Sequence, residues 1–252
     1  LITAFFLIRW LTREIEYADL KTSFVSNVSH ELKTPLALIR LYAETLELDR
    51  CGDAEQRRSC LQTISRESDR LTRLIDNVLD LSRIESGAMR YRLERTDITT
   101  VVDETLDAYR YHLDEQGFRV ELDLVERPLV ARVDAGALTQ ALVNLLDNAV
   151  KYSREVKEIT VACRREGACA LVSVRDRGEG IDREELPRIF ETFYRGSGNG
   201  DAPAPGFGLG LALVHHIAAA HGGRVRVESH VGEGSTFTLE LPLADGAALY
   251  RR

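Results

Sequence analysis

The sequence predicts a multidomain chain: an antiparallel α-helical hairpin that pairs with a second copy into a dimeric four-helix bundle, followed by an α+β two-layer sandwich. Three observations carry this expectation. Apolar residues recur at steps of three and four through residues 11–49, and again from about Ala54 to Ser86, with only Cys51-Gly52-Asp53 between the two runs. Helices joined by so short a loop are antiparallel neighbours, and a lone hairpin cannot bury both apolar stripes, so a homodimer is the economical solution. After Gly87 the pattern changes, and short strand-like runs alternate with helical ones.

In the first helix Val25, Val28, Leu32, Leu36, Ile39, Ala43 and Leu46 form the stripe. Pro35 removes a backbone N–H and frees the carbonyl of Glu31, so a bend is expected just after His30. The second helix carries Leu61, Ile64, Leu71, Ile75 and Val78 on one side and stops at Gly87. Phe118–Val125 and Leu129–Val133 read as strands. Asp134 is a good N-cap for a helix over Ala135–Tyr152. Glu158–Arg164 and Cys169–Asp176 read as a hairpin around Glu166-Gly167. Residues 195–206 hold Gly, Ser, Asn, Asp and Pro and read as a loop. A helix over Leu209–His221 and strands over Gly223–His230 and Ser235–Leu241 complete the layer. The expected division is 1–10, 11–88 and 89–245, with no internal repeat and no receiver domain.

A chain of 252 residues has room for two modest domains. Its net charge of −7 excludes nucleic acid as the partner class, because neutralising phosphates needs surplus Lys and Arg. Cys51, Cys60, Cys163 and Cys169 show no C-x-x-C spacing, so they read as reduced thiols of a cytoplasmic protein rather than zinc ligands or a redox dithiol. Residues 1–8 are mainly apolar, and Arg9, Trp10 and Arg13 follow at once. That order resembles the cytoplasmic end of a transmembrane helix, too short here to span a bilayer, which takes about 20 residues. The expectation is the cytoplasmic portion of an inner-membrane protein, anchored through this truncated segment.

Residues 29–35 read Ser-His-Glu-Leu-Lys-Thr-Pro. At about 100° per residue, His30 points away from the apolar stripe, and Thr34 at i+4 shares its outward face. A solvated histidine beside the carboxylate of Glu31 is reachable by a second protein. In the helix over Ala135–Tyr152, Leu138, Leu142, Leu145, Leu146 and Ala149 form the apolar face. Asn144, Asn148 and Lys151 make a separate polar stripe. Amide oxygens and an ammonium in line suit a divalent cation and phosphate oxygens. Asp176-Arg177-Gly178-Glu179-Gly180 ends a strand and offers a carboxylate acceptor with permissive glycines. Gly206-Phe207-Gly208-Leu209-Gly210 leads into a helix, whose free N–H groups favour anions.

These motifs resemble, in order, the H box, N box and glycine boxes of bacterial sensor histidine kinases of two-component systems, over residues 20–243. The resemblance implies an ATP-binding catalytic domain of the Bergerat fold after the phosphoacceptor hairpin. It implies that Asn148 binds Mg²⁺ through its amide oxygen, that Asn144 assists, that Lys151 reaches phosphate and that Tyr152 lies beside the base. Asp176, with Gly178 and Gly180, is implied as the adenine reader, although Arg177 departs from the Asn often found there. Gly206, Gly208, Leu209 and Gly210 match the second glycine box at the end of a nucleotide lid. Ile189–Arg195 resembles the F box, whose phenylalanines would anchor that lid. Gly232-Glu233-Gly234-Ser235-Thr236 matches the last glycine box, with Thr236 among the binding residues, and reads equally as a hairpin turn. The other histidines (His112, His215, His216, His221 and His230) belong to no motif and read as structural.

The resemblance also implies the reaction. His30 is phosphorylated from ATP in a homodimer and passes the phosphoryl group to an aspartate of a response-regulator receiver domain. Nε2 of His30 attacks, Glu31 accepts a hydrogen bond from Nδ1–H, and Thr34 orients water for dephosphorylating the regulator. Hydrolytic ATPases of the same fold carry Glu at the place of Asn144, and an amide cannot take the proton of an attacking water. A degenerate scaffold would lack His30, Asn148 or Asp176, and all three are present.

Overall fold

The computed structural model describes residues 28–29, 32–153, 155–196 and 208–244. The chain divides into two compact units: the described residues up to Gly87 with Gly208 and Leu209 belong to the first, and those from Ala88 to 196 and from Gly210 onward to the second. His30, Glu31, the expected bend between them and Leu32, the helical pattern over 11–27 and the apolar residues 1–10 all lie outside the described residues.

The first unit contains helices α1 (32–47) and α2 (Ala54–Glu85). Helix α1 runs without a break through Pro35, which is buried. Asp49, at a φ of 50°, leads out of it. Asp53 caps α2 by accepting from the Gln56 N–H at 2.7 Å, while Gln56 Oε1 accepts from the Gly52 N–H at 2.9 Å. That reciprocal pair satisfies two donors at the helix entrance, in the manner of a capping box. Ser86 caps the far end, and Gly87 follows at a φ of 67°. Of the residues expected on the inner side of α2, Leu61 and Ile75 are exposed, as are Leu36, Leu41 and Leu79. All four cysteines are free thiols, but the Sγ atoms of Cys51 and Cys60 lie 3.8 Å apart, a pairing that their spacing did not announce.

In the second unit five strands form one sheet: β2 (Arg119–Leu124), β4 (Glu158–Glu166), β5 (Cys169–Asp176), β6 (Arg224–His230) and β7 (Gly234–Pro242). Their order is β2-β4-β5-β7-β6, with β2 and β4 parallel and the other neighbours antiparallel. A separate antiparallel ribbon joins β1 (Glu94–Asp97) to β3 (Val130–Val133). Helices α3 (Ile98–Glu115), α4 (Ala135–Tyr152) and α5 (Gly210–Ala220) complete the α+β layer. Val102 and Leu106 of α3, Leu142 and Leu146 of α4, and Val161 and Val174 of the sheet line one small apolar space, which places both helices on the same face.

The sequence reading left residues 89–117 unassigned, and β1 and α3 occupy them. The helical period is present, since Ile98, Val101, Val102, Leu106, Tyr109 and Leu113 are all buried. The β-branched opening Ile-Thr-Thr-Val-Val masks it, because such residues favour strands. What decides for helix is the Asp97 cap, whose Oδ1 accepts from the N–H of Thr99 at 3.1 Å and of Leu129 at 3.0 Å. Strand ends differ from expectation by a residue or two: Phe118, Val125 and Leu129 fall outside β2 and β3, and β4 extends to Glu166.

Candidate functional site: the polar face of α4 and the loops around Asp176

Helix α4 begins at Asp134, whose Oδ1 accepts from the Ala137 N–H at 3.1 Å, and buries Leu138, Leu142, Leu145, Leu146 and Ala149 as expected. Its polar stripe is the unusual feature. The Nδ2 atoms of Asn144 and Asn148, one turn apart, are both buried without a hydrogen-bond partner. An unmet buried amide costs about 1–3 kcal/mol, so two on one face of one helix mark a place built for a polar ligand. Each amide carries two donors and an oxygen acceptor, and rotation by 180° exchanges them, so the pair suits phosphate oxygens or a divalent cation. Lys151, one turn on, donates from Nζ to the Tyr152 hydroxyl at 2.9 Å. Burial pushes the Tyr152 phenol above its ordinary pKa.

Asp176, the last residue of β5, is buried. Its Oδ1 accepts from the Gly178 N–H at 2.8 Å and the Ser235 N–H at 3.2 Å. Burial raises its carboxyl pKa above the usual range, against the pull of those two donors. One oxygen is thus committed to holding the loops, which leaves Oδ2 as the acceptor for a ligand.

Gly178, Gly180 and Gly234 lie tight against the protein's own backbone. A Cβ at Gly178 would sit 2.5 Å from the Tyr152 carbonyl oxygen, which also accepts from the Glu179 N–H at 3.1 Å. The Asp176 loop therefore docks on the last turn of α4, the helix that carries Asn148. Gly180, at a φ of 71°, abuts the His230 carbonyl, and Gly234, at 98°, abuts the Asp176 carbonyl. Residues 232–236 include the turn joining β6 to β7, and the Ser235 N–H contributes to holding Asp176. Thr236 is half-buried and pairs with Arg175 and Glu228.

Gly206 and the loop over 197–207 lie outside the described residues. Gly208 has a φ of 68°, Leu209 is buried, and Gly210 opens α5. A Cβ on Gly210 would come 3.3 Å from Asn144 Oδ1, so the start of α5 is brought to the polar stripe. Ile189 and Phe193 are buried, and the Phe190 ring packs 5.5 Å from that of His215 on α5. Thr34 is exposed on α1.

Sequence reasoning missed three supports. His221 Nε2 accepts from the Asp134 N–H at 3.0 Å, and its Nδ1 lies 2.6 Å from the Ile217 carbonyl, which assigns the proton to Nδ1. It ties the end of α5 to the start of α4, a structural histidine as expected but with a definite task. Ser229 Oγ accepts from the Ile181 N–H at 2.8 Å and lies 2.9 Å from Ser235 Oγ. Tyr109 donates to Asp147, joining α3 to the outer side of α4. The only local signal for these was Ser235 within its glycine-rich motif.

Comparison with known proteins accounts for both units. Residues 20–87 match the His Kinase A (phospho-acceptor) domain, and residues 133–245 match the histidine kinase-, DNA gyrase B- and HSP90-like ATPase family. The sensor-like histidine kinase SenX3 of Mycobacterium tuberculosis is 37% identical over 242 residues, covering 94% of this chain and 58% of SenX3. The chain thus spans less than two thirds of that curated relative. Among solved structures, the histidine kinase AdeS of Acinetobacter baumannii is 27% identical with a TM-score of 0.58, over 85% of this chain and 98% of AdeS. Full-length ShkA in complex with AMPPNP is 26% identical with a TM-score of 0.61, over 87% of this chain and 46% of ShkA. With both domain types present in this order and the N-box amides and the Asp176 carboxylate held as the geometry above describes, the chain belongs to the sensor histidine kinases of two-component systems.

Proposed function

We infer that the chain uses ATP to phosphorylate His30 within a homodimer and passes the phosphoryl group to an aspartate on a response-regulator receiver domain, acting also as that regulator's phosphatase. The observation that carries the reading is the pair of buried, unmatched amides of Asn144 and Asn148 on the helix against which the Asp176 loop docks. The AMPPNP held by ShkA supports a nucleotide as the ligand. Asp176 Oδ2 accepts from the exocyclic amine of adenine, Tyr152 lies beside the base, and Lys151 moves from the Tyr152 hydroxyl to a phosphate. The donor set fits Mg²⁺: Asn148 would hold it through the amide oxygen, with Asn144 assisting. The cation supplies charge neutralisation on the phosphates.

Phosphoryl transfer of this kind depends on positioning and electrostatics more than on a strong base. His30 attacks through Nε2, and Glu31 steadies the imidazolium by accepting from Nδ1–H. Thr34, one turn along the same face, orients the water that dephosphorylates the regulator. The working division is a phosphotransfer hairpin over 11–88 and a catalytic domain over 89–245. Attachment to the inner membrane through 1–10 rests on the apolar run followed by Arg9, Trp10 and Arg13. Among the described residues no helix is long and apolar enough to cross a membrane.

Incubation with γ-labelled ATP and Mg²⁺ tests the reading. Acid-labile, alkali-stable label is expected, and it should vanish in His30→Ala with the fold retained. Label that survives this substitution, or label of the acid-stable hydroxyl type, removes His30 as the acceptor.

A further inference from the structure

Neither nucleotide binding nor phosphoryl transfer uses a thiol, yet the turn of the hairpin holds two. Cys51 is half-buried in the turn, Cys60 is buried in the second turn of α2, and their Sγ atoms are 3.8 Å apart. A disulfide needs about 2.05 Å, so the gap is within reach of side-chain rotation. The segment between them is built. Asp53 and Gln56 exchange the capping bonds described above, and Arg57 pairs with Asp49 across the turn. The other two cysteines have no such relation, since across β4–β5 Cys163 faces Val172 and Cys169 faces Glu166.

We propose that Cys51 and Cys60 form a dithiol which low-molecular-weight disulfides oxidise to an intramolecular disulfide, stapling the interhelical turn to α2. Cys51 is the more exposed and attacks first. Its thiolate bonds to one sulfur of the small disulfide, the small S–S bond breaks, and one small thiolate leaves and takes up a proton. Cys60 then loses its proton and attacks Cys51 Sγ, expelling the second small thiol. Two protein thiols are oxidised and one small disulfide is reduced to two thiols. Desolvation and the adjacent Cys60 thiol raise the Cys51 pKa, with Asp49 acting in the same sense and Arg57 against it. The exchange is therefore slow at neutral pH and quickens as the pH rises. This site is independent of whether His30 accepts a phosphoryl group.

The reduced full chain, equilibrated in glutathione–glutathione disulfide buffers, is quenched with N-ethylmaleimide and digested for peptide mass analysis. The expected product links Cys51 to Cys60, with Cys163 and Cys169 alkylated. Urea-unfolded chain should form the link about ten-fold less readily in the same buffers, because the folded turn sets the effective concentration. Cys60→Ser should leave Cys51 as a mixed disulfide with glutathione, and Cys163→Ser should change nothing. Amide exchange over residues 50–60 should slow on oxidation. Four alkylated thiols across all buffers, a Cys51–Cys51 link between two copies, or equal linkage in the unfolded chain would overturn the proposal. Unchanged amide exchange would overturn the staple.

Discussion

In the hairpin Leu36, Leu41 and Leu61 are 57%, 55% and 55% exposed, whereas in the sheet domain Val102, Leu145 and Leu239 are at 0–1%. Both regions spend a similar kind of residue, and only one of them covers it. Helices α3 and α4 laid on one face of a five-stranded sheet enclose a core within a single chain, while the described residues of α1 and α2 leave large apolar side chains open. The difference teaches where each region's stability comes from. The sheet domain closes its own core, whereas the described part of the hairpin leaves its leucines open, the face that the proposed homodimer would cover. The candidate site follows the same division, with the buried amides of Asn144 and Asn148 in the closed domain and Thr34 exposed on α1.

The comparison breaks most visibly at the backbone contacts of the Asp176 loops. Gly180→Ala would force a Cβ into the His230 carbonyl at a positive φ, and should destabilise the sheet domain by about 4 kcal/mol or more, leaving the hairpin's helicity intact. Two separate transitions in thermal unfolding followed by circular dichroism would show the selective loss; a uniform shift would mean that the two regions unfold as one. Leucine truncations sharpen the contrast directly. Leu145→Ala should cost about 3 kcal/mol in urea unfolding of the sheet domain. Leu61→Ala should leave that transition unchanged and raise the hairpin's dimer dissociation constant about ten-fold in sedimentation, and an unaltered dimer would remove Leu61 from the interface.

At the site, Asp176→Ala should weaken binding of an ATP analogue by about 1.5–3 kcal/mol, the worth of a hydrogen bond to a charged group, read by calorimetric titration. Unchanged affinity would mean that the base is read elsewhere. The smallest effect compares two helix caps. Asp134→Ala should cost about 1 kcal/mol, as should Asp53→Ala on α2. Burial alone would raise the Asp134 carboxyl. The Arg92 and Ala137 N–H groups outweigh it and hold the pKa below its ordinary value. The folded pKa is thus depressed, so the contribution of Asp134 is present above about pH 4, the unfolded carboxyl range, and is lost as pH falls through the folded pKa. The stability difference between wild type and Asp134→Ala should therefore shrink in acid; a constant difference would show that the cap works without its charge.

Periodicity and short motifs determined much by themselves. The 3.6 repeat of α4 with its Asp134 cap, the polar stripe of Asn144, Asn148 and Lys151, the hairpin turn near Gly52 and the carboxylate at the end of β5 were all legible, because each depends on residues within a few positions of one another. The tertiary structure alone decided the rest. Helix α3 hid behind a β-branched opening until the Leu129 N–H, 32 residues away, completed the Asp97 cap. Gly178, Gly180 and Gly234 proved to serve contacts with Tyr152, His230 and Asp176, and His221 to hold Asp134 across 87 positions. Cys51 and Cys60 met because a capped helix start folds the turn back on itself. Such contacts arise only once the chain is packed, since the free energy that selects them comes from buried donors finding acceptors that no local pattern specifies.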